Sequence, residues 1–204
     1  MEALILDPDL RKRLIRERRR TGADRFDEVW DGVYVMSPPA DNLHQKLASR
    51  LTVVIDQAIG GPAAGTVFTG VNVSDQEAYG KRNYRCPDVA VFFPGNPAQD
   101  RGTHWFGGPD FAIEVISRYD RSRRKLPFYA KVSVRELLLV DRRPWALELY
   151  RMHEDAMELV GKSVPETSAL LSSVVLPVSF RLLPGTPNPR IEVIRNDGTQ
   201  TWST

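Results

Sequence analysis

Leu6, Leu10 and Leu14 recur at every fourth position among basic residues, and that spacing predicts a helix over residues 5–20, ended by Thr21-Gly22. Residues 28–36 alternate around Asp31-Gly32 and predict a short hairpin with those two residues as its turn. Ser37-Pro38-Pro39 breaks the pattern. Asp41 then stands as an N-cap for a helix reaching Ile59, with Leu43, Leu47, Leu51, Val54, Ile55 and Ala58 forming one apolar stripe and Gly60-Gly61-Pro62 as its stop.

From there the period changes. Val67, Val71 and Val73 mark a strand-like segment, and Val89 to Phe93 is a continuous apolar run, as in a strand covered on both faces. Residues 94–109 read as a Gly- and Pro-rich loop, and residues 111–116 as a further strand. A helix over residues 122–132 carries Leu126, Tyr129 and Ala130 on one side. Strands are predicted over 136–140 and 146–150, joined by Arg142-Arg143-Pro144. Beyond residue 155 come short strands and Pro-rich turns, ending in Ile191-Glu192-Val193-Ile194. The order of elements predicts an α/β chain, a mixed sheet flanked by helices.

The chain has 204 residues, room for one domain with its own core. A single cysteine, Cys86, excludes an internal disulfide and a cysteine-based zinc site. No apolar run is long enough to span a membrane, and the charged first twenty residues do not read as a secretory signal, so a cytoplasmic setting is expected. Net charge is only +2, but it is unevenly spread. Residues 11–20 hold seven bases and one acid. Residues 118–135 hold Arg118, Arg121, Arg123, Arg124, Lys125, Lys131 and Arg135 against Asp120. Each run is either a solvated face or a phosphate-binding surface.

Two acids interrupt apolar strands. Asp88 opens the run 88–93 directly after Pro87, and Glu114 lies inside 111–116. A carboxylate drawn into a core must be paired, hydrogen-bonded or bound to a metal. Two of them with water and phosphate describe a magnesium site; the alternative is that each faces water or an arginine. Lys125 lies eleven residues after Glu114, near the start of the next helix, where it can return over the strand end and stabilise charge on a phosphate. Elsewhere the chemistry fails: His44, His104 and His153 lack zinc-hydrolase spacing, and no phosphate-loop, dinucleotide or serine-hydrolase motif occurs. Cys86 reads as a small core residue rather than a nucleophile.

Pro87-Asp88, Glu114-Val115-Ile116-Ser117, Lys125-Leu126 with Tyr129-Ala130, and Val134 to Asp141 occur in an order that resembles the Uma2 family, a bacterial group of restriction-endonuclease-like proteins. Asp31-Gly32, residues 36–39 and His44 resemble its opening hairpin and first helix, and residues 173–185 its closing segment. The resemblance covers roughly residues 25–185, leaving a basic helix over 1–24 and a C-terminal extension, 186–204, expected to add one strand to the same domain.

The resemblance implies a PD-(D/E)XK nuclease fold: a mixed sheet with flanking helices and its acids on a central hairpin. It implies Asp88 and Glu114 as ligands for Mg2+ or Mn2+, with the Val115 carbonyl as a third. In the wider superfamily the lysine follows the glutamate by two residues. That position is Ile116 here, so the role passes to Lys125. Pro127 is tolerated without a kink only in a helix's first turn, so the helix either starts late or bends. Glu28, His44, Arg85 and Ser117 are accessory candidates. Glu28 is either an acid near the metal or a surface acid. His44 either binds a ligand or phosphate, or is structural. Arg85 is expected to reach a phosphate or pair with Glu114.

The leading expectation is a metal-dependent endonuclease acting on DNA, with Arg118, Arg121, Arg123 and Arg124 on the phosphate backbone. The alternative is a binding module without catalysis, for nucleic acid or protein. A homodimer is a further expectation, since a duplex-cleaving enzyme often needs two sites.

Overall fold

A computed structural model describes residues 7–61, 63–78, 83–116 and 121–204. Asp7 caps the first helix, α1 (Pro8–Thr21), by accepting from the Asp9 and Leu10 amides; Gly22 in the left-handed region ends it. The strands β1 (Glu28–Trp30) and β2 (Val33–Val35) form the expected hairpin. Its turn residues Asp31 and Gly32 both have positive φ, 48° and 87°, as a two-residue turn of this twist requires. Helix α2 (Asn42–Ile59) follows, capped by Asp41.

The middle of the chain supplies β3 (Thr66–Thr69), β4 (Val73–Ser74), β5 (Tyr84–Arg85), β6 (Val89–Phe92), β7 (Gln99–Asp100), β8 (Trp105–Phe106) and β9 (Phe111–Val115). A 3-10 turn, Ser122–Lys125, leads into α3 (Leu126–Lys131). The remainder is β10 (Glu136–Arg142), β11 (Trp145–His153), β12 (Ala156–Ser163), β13 (Leu171–Ser172), β14 (Val178–Leu183), β15 (Arg190–Arg195) and β16 (Thr201–Ser203).

The central sheet runs β12-β11-β10-β9-β6-β3. Only β9 and β10 are parallel within it, because the chain between them crosses over through α3; the other pairs are antiparallel. Both faces of its middle strands are covered. Ile113 and Val115 point to the face packed by α2 and by the sheet β13-β14-β15-β16, whose Val178, Phe180 and Val193 join Leu51 and Ile55 in one core. Ala112 and Ile116 point to the opposite face, packed by Phe128, Tyr129 and Ala130 of α3. This mixed α+β architecture matches the expected class. A third sheet of short strands, β2-β1-β5-β4-β8-β7, sets the hairpin beside the central sheet.

Two details differ from the sequence expectation, and a third settles an alternative it left open. The loop 94–109 contains β7 and β8, too short for a periodic pattern to reveal. The extension beyond residue 186 makes two strands, β15 and β16, rather than one, and both pair into the β14 sheet. Finally, Pro127 sits in the first turn of α3, so the α-helix starts late, after the 3-10 turn, and is not bent.

Candidate active site

Antiparallel pairing sets Val89 against Ile113. Asp88 immediately precedes this ladder and reaches across to β9 through its side chain. The Asp88 carboxylate is fixed at both oxygens: Oδ2 accepts from the Val115 amide at 2.7 Å, and Oδ1 lies 2.9 Å from His44 Nε2. His44 stands in the first turn of α2, and its own amide donates to the capping Asp41. Asp41 in turn meets both Nη atoms of Arg142 on β10, so the helix start is tied to the sheet.

Glu114 lies on the α3 face of the sheet and is buried. Lys125 Nζ donates to its Oε1 at 2.8 Å and to Glu28 Oε1 at 2.9 Å. The Tyr129 hydroxyl donates to the same Glu114 oxygen. Burial first, and the neighbouring Glu114 charge second, push the Tyr129 phenol well above its ordinary range, so it stays protonated and donates. Glu28 is held as firmly: the Cys86 amide donates to Oε1 at 2.8 Å and the Trp30 indole to Oε2 at 2.6 Å. Two carboxylates, Glu28 and Glu114, thus share one ammonium, while Asp88 next door is bonded to His44 and the Val115 amide. Arg85 adds a second positive charge that interacts with Glu28.

A family model described as "Uma2: Putative restriction endonuclease" matches residues 16–184. The chain belongs to the Uma2 family. Its fold is also that of a solved structure described as a "putative nuclease belonging to DUF820" from Anabaena variabilis. That structure is 17% identical, with a TM-score of 0.57, and the match covers 72% of this chain and 80% of the other. No curated protein matches.

Within this Uma2 chain, Asp88, Glu114, Lys125, Glu28 and His44 are brought together. Arg85 is not directed as expected. It is 3% exposed, stacked between the rings of Trp30 at 4.6 Å and Phe128 at 4.3 Å, and donates to the carbonyls of Val29 and Tyr84 and to Asn83. Burial lowers its pKa. It supports the hairpin and α3 from behind, away from solvent.

Arg123 also has other work than the backbone contact expected of it. It binds Glu148 through Nε and Nη2 at 3.0 Å, and Asp141 at 2.8 Å. These bonds pin the 3-10 turn that carries Lys125 onto β10 and β11. Arg124 is exposed, and Arg121 half-exposed, on the same turn. Ser117 and Arg118 lie outside the described residues.

Sequence reasoning missed Tyr129 as a site residue. Its position four after Lys125 was the available signal, since residues at that spacing share a helix face. It also missed the amides of Val115 and Cys86, which no sequence pattern marks. Among the described residues no group of three or more His, Cys, Asp or Glu side chains converges in metal-binding geometry. Asp88 and Glu114 remain the two acids brought to neighbouring strands. Carboxylate oxygens are the donors that hard cations prefer.

Proposed function

We propose that this Uma2 protein is a metal-dependent endonuclease that hydrolyses DNA phosphodiester bonds. The observation that carries the reading is the placement of Lys125 Nζ 2.8 Å from Glu114, with Asp88 bonded to the amide of Val115, the residue after that glutamate. Asp88, Glu114 and the Val115 carbonyl are the residues that would hold Mg2+ or Mn2+. Bound there, such an ion would supply Lewis acidity towards a phosphoryl oxygen and a more acidic water. The chain's own groups do the rest. His44 and the Val115 amide hold Asp88 in one orientation. Tyr129 holds Glu114. Lys125 offers a fixed positive charge where negative charge gathers on the phosphate. Arg121 and Arg124 serve the phosphate backbone, contacts that position rather than specify.

The test is plasmid cleavage with magnesium or manganese by wild type, Asp88→Ala, Glu114→Ala and Lys125→Ala. Loss of about 100-fold or more in each variant is expected. Cleavage that persists without Lys125 removes the lysine from the reading and keeps the acids.

Ile116, where the superfamily has its lysine, favours a second reading: a nucleic-acid-binding module without catalysis. Folded wild type that binds DNA and cuts neither DNA nor RNA with either metal would establish that reading.

A further inference from the structure

Helix α1 contributes no buried residue to the protein. Its half-buried Leu10, Leu14, Ile15 and Arg18 face the body. The opposite side is a basic stripe. Lys12, Arg16 and Arg19 follow at four- and three-residue steps, flanked by Arg13 and Arg20, and all five are exposed, with Arg19 at the edge of the stripe, where it also lines a hollow beside Asp24, Asp27 and Tyr34. Lys12 pairs with Asp9 and Arg20 with Glu17, whereas Arg13, Arg16 and Arg19 have no acidic partner among the described residues.

The helix is not loose. Arg18 grips Asp27 with Nε and Nη2, both at 2.5 Å, and reaches the Ser37 carbonyl at 2.8 Å. Asp27 is buried and also receives the Tyr34 hydroxyl and the Ser37 amide. The next residue is Glu28, which holds Lys125. The basic stripe is therefore bolted to the strand that supplies one wall of the candidate centre. Helix residues 8–15 precede the stretch matched by the family model, whereas Arg16, Arg18, Arg19 and Arg20 lie within it.

We infer that α1 is a DNA-binding arm whose outer face neutralises backbone phosphates beside the candidate centre. The inference rests on the nuclease reading and gives that reading a docking surface. Lys12 to Arg19 spans about 10 Å of helix, against about 3.4 Å of duplex axis per phosphate on one strand, so the stripe matches roughly three successive phosphates. A bilayer fits less well, because the apolar residues of α1 face the protein and leave nothing to insert.

The test uses the full chain and a duplex oligonucleotide in EDTA, with affinity measured by fluorescence anisotropy across a salt series. The variant is Arg13→Gln/Arg16→Gln/Arg19→Gln, checked for an unchanged melting temperature. The slope of log K against log salt should flatten by about 0.9 for each lost phosphate contact, or roughly 2 to 3 for the triple variant. A slope equal to that of wild type overturns the arm. So does wild type binding anionic vesicles and not the duplex. The nuclease reading fails separately, if wild type binds the duplex with the steeper slope yet leaves plasmid uncut with both metals.

Discussion

Lys125 Nζ lies 2.9 Å from Glu28 Oε1, a contact that closes 97 residues of chain. The lysine is 9% exposed and each of its two glutamate partners 4%. Removing one carboxylate leaves the ammonium with the other, whereas removing the ammonium leaves two buried acids facing each other. Lys125→Met should therefore destabilise the fold by about 3–5 kcal/mol, and Glu28→Gln by clearly less. Urea unfolding of the two variants measures the difference; equal losses would contradict the shared-lysine arrangement.

Tyr129 gives a subtler case. Tyr129→Phe keeps the ring in the core and deletes the hydroxyl on Glu114. Stability should fall by about 1–3 kcal/mol, since a buried acceptor loses a donor. If Tyr129 positions the glutamate, kcat for plasmid cleavage should drop while KM holds. A variant with unchanged kcat would reduce the tyrosine to a packing residue.

Arg123 and Arg124 are neighbours with opposite expectations. Arg123 is spoken for by Glu148 and Asp141, and burial of Glu148 is outweighed by Arg123 and Lys162, which hold that acid below its ordinary range. Arg123→Ala should lower the melting temperature and loosen the turn bearing Lys125. Arg124→Ala should leave melting unchanged and weaken DNA binding. Differential scanning fluorimetry beside an anisotropy titration separates the two.

The start of α2 carries a pH dependence. The bond from Arg142, then that from the His44 amide, lowers the Asp41 pKa to about 2. A depressed carboxylate stabilises the fold above its unfolded value near 3.9 and loses that contribution as pH falls through its folded value. Wild type should thus lose stability between roughly pH 4 and pH 2 through this group. Asp41→Asn, which keeps a capping oxygen but not the charge, should show a smaller loss in that window. Melting curves across the range test it.

The parts legible in the sequence are those with a local cause. Helix α2 follows from its apolar stripe and its two caps, and β6 and β9 from unbroken apolar runs. Asp88 and Glu114 stand out because a carboxylate in such a run demands an explanation. What stayed hidden depends on distant pairing. The Lys125–Glu28 contact needs the hairpin docked on the sheet. Arg85 and Arg123 look like phosphate ligands in a basic stretch, and only the folded chain reveals Trp30, Phe128, Glu148 and Asp141 as their partners. The hydroxyl of Tyr129 was masked by a ring that also fits an apolar helix face. β16 was missed because three residues after a polar turn carry no periodic signal.

The parallel pairing of β9 with β10 has a consequence for the life history of the molecule. That pairing, and the crossover that delivers Lys125, cannot form until the chain has been synthesised well past residue 136. A nascent chain already displays Glu28, His44, Asp88 and Glu114, but not yet the strand that clamps them under α3. Domains fold as units during synthesis. The candidate centre is thus completed only late in synthesis, as a consequence of topology alone.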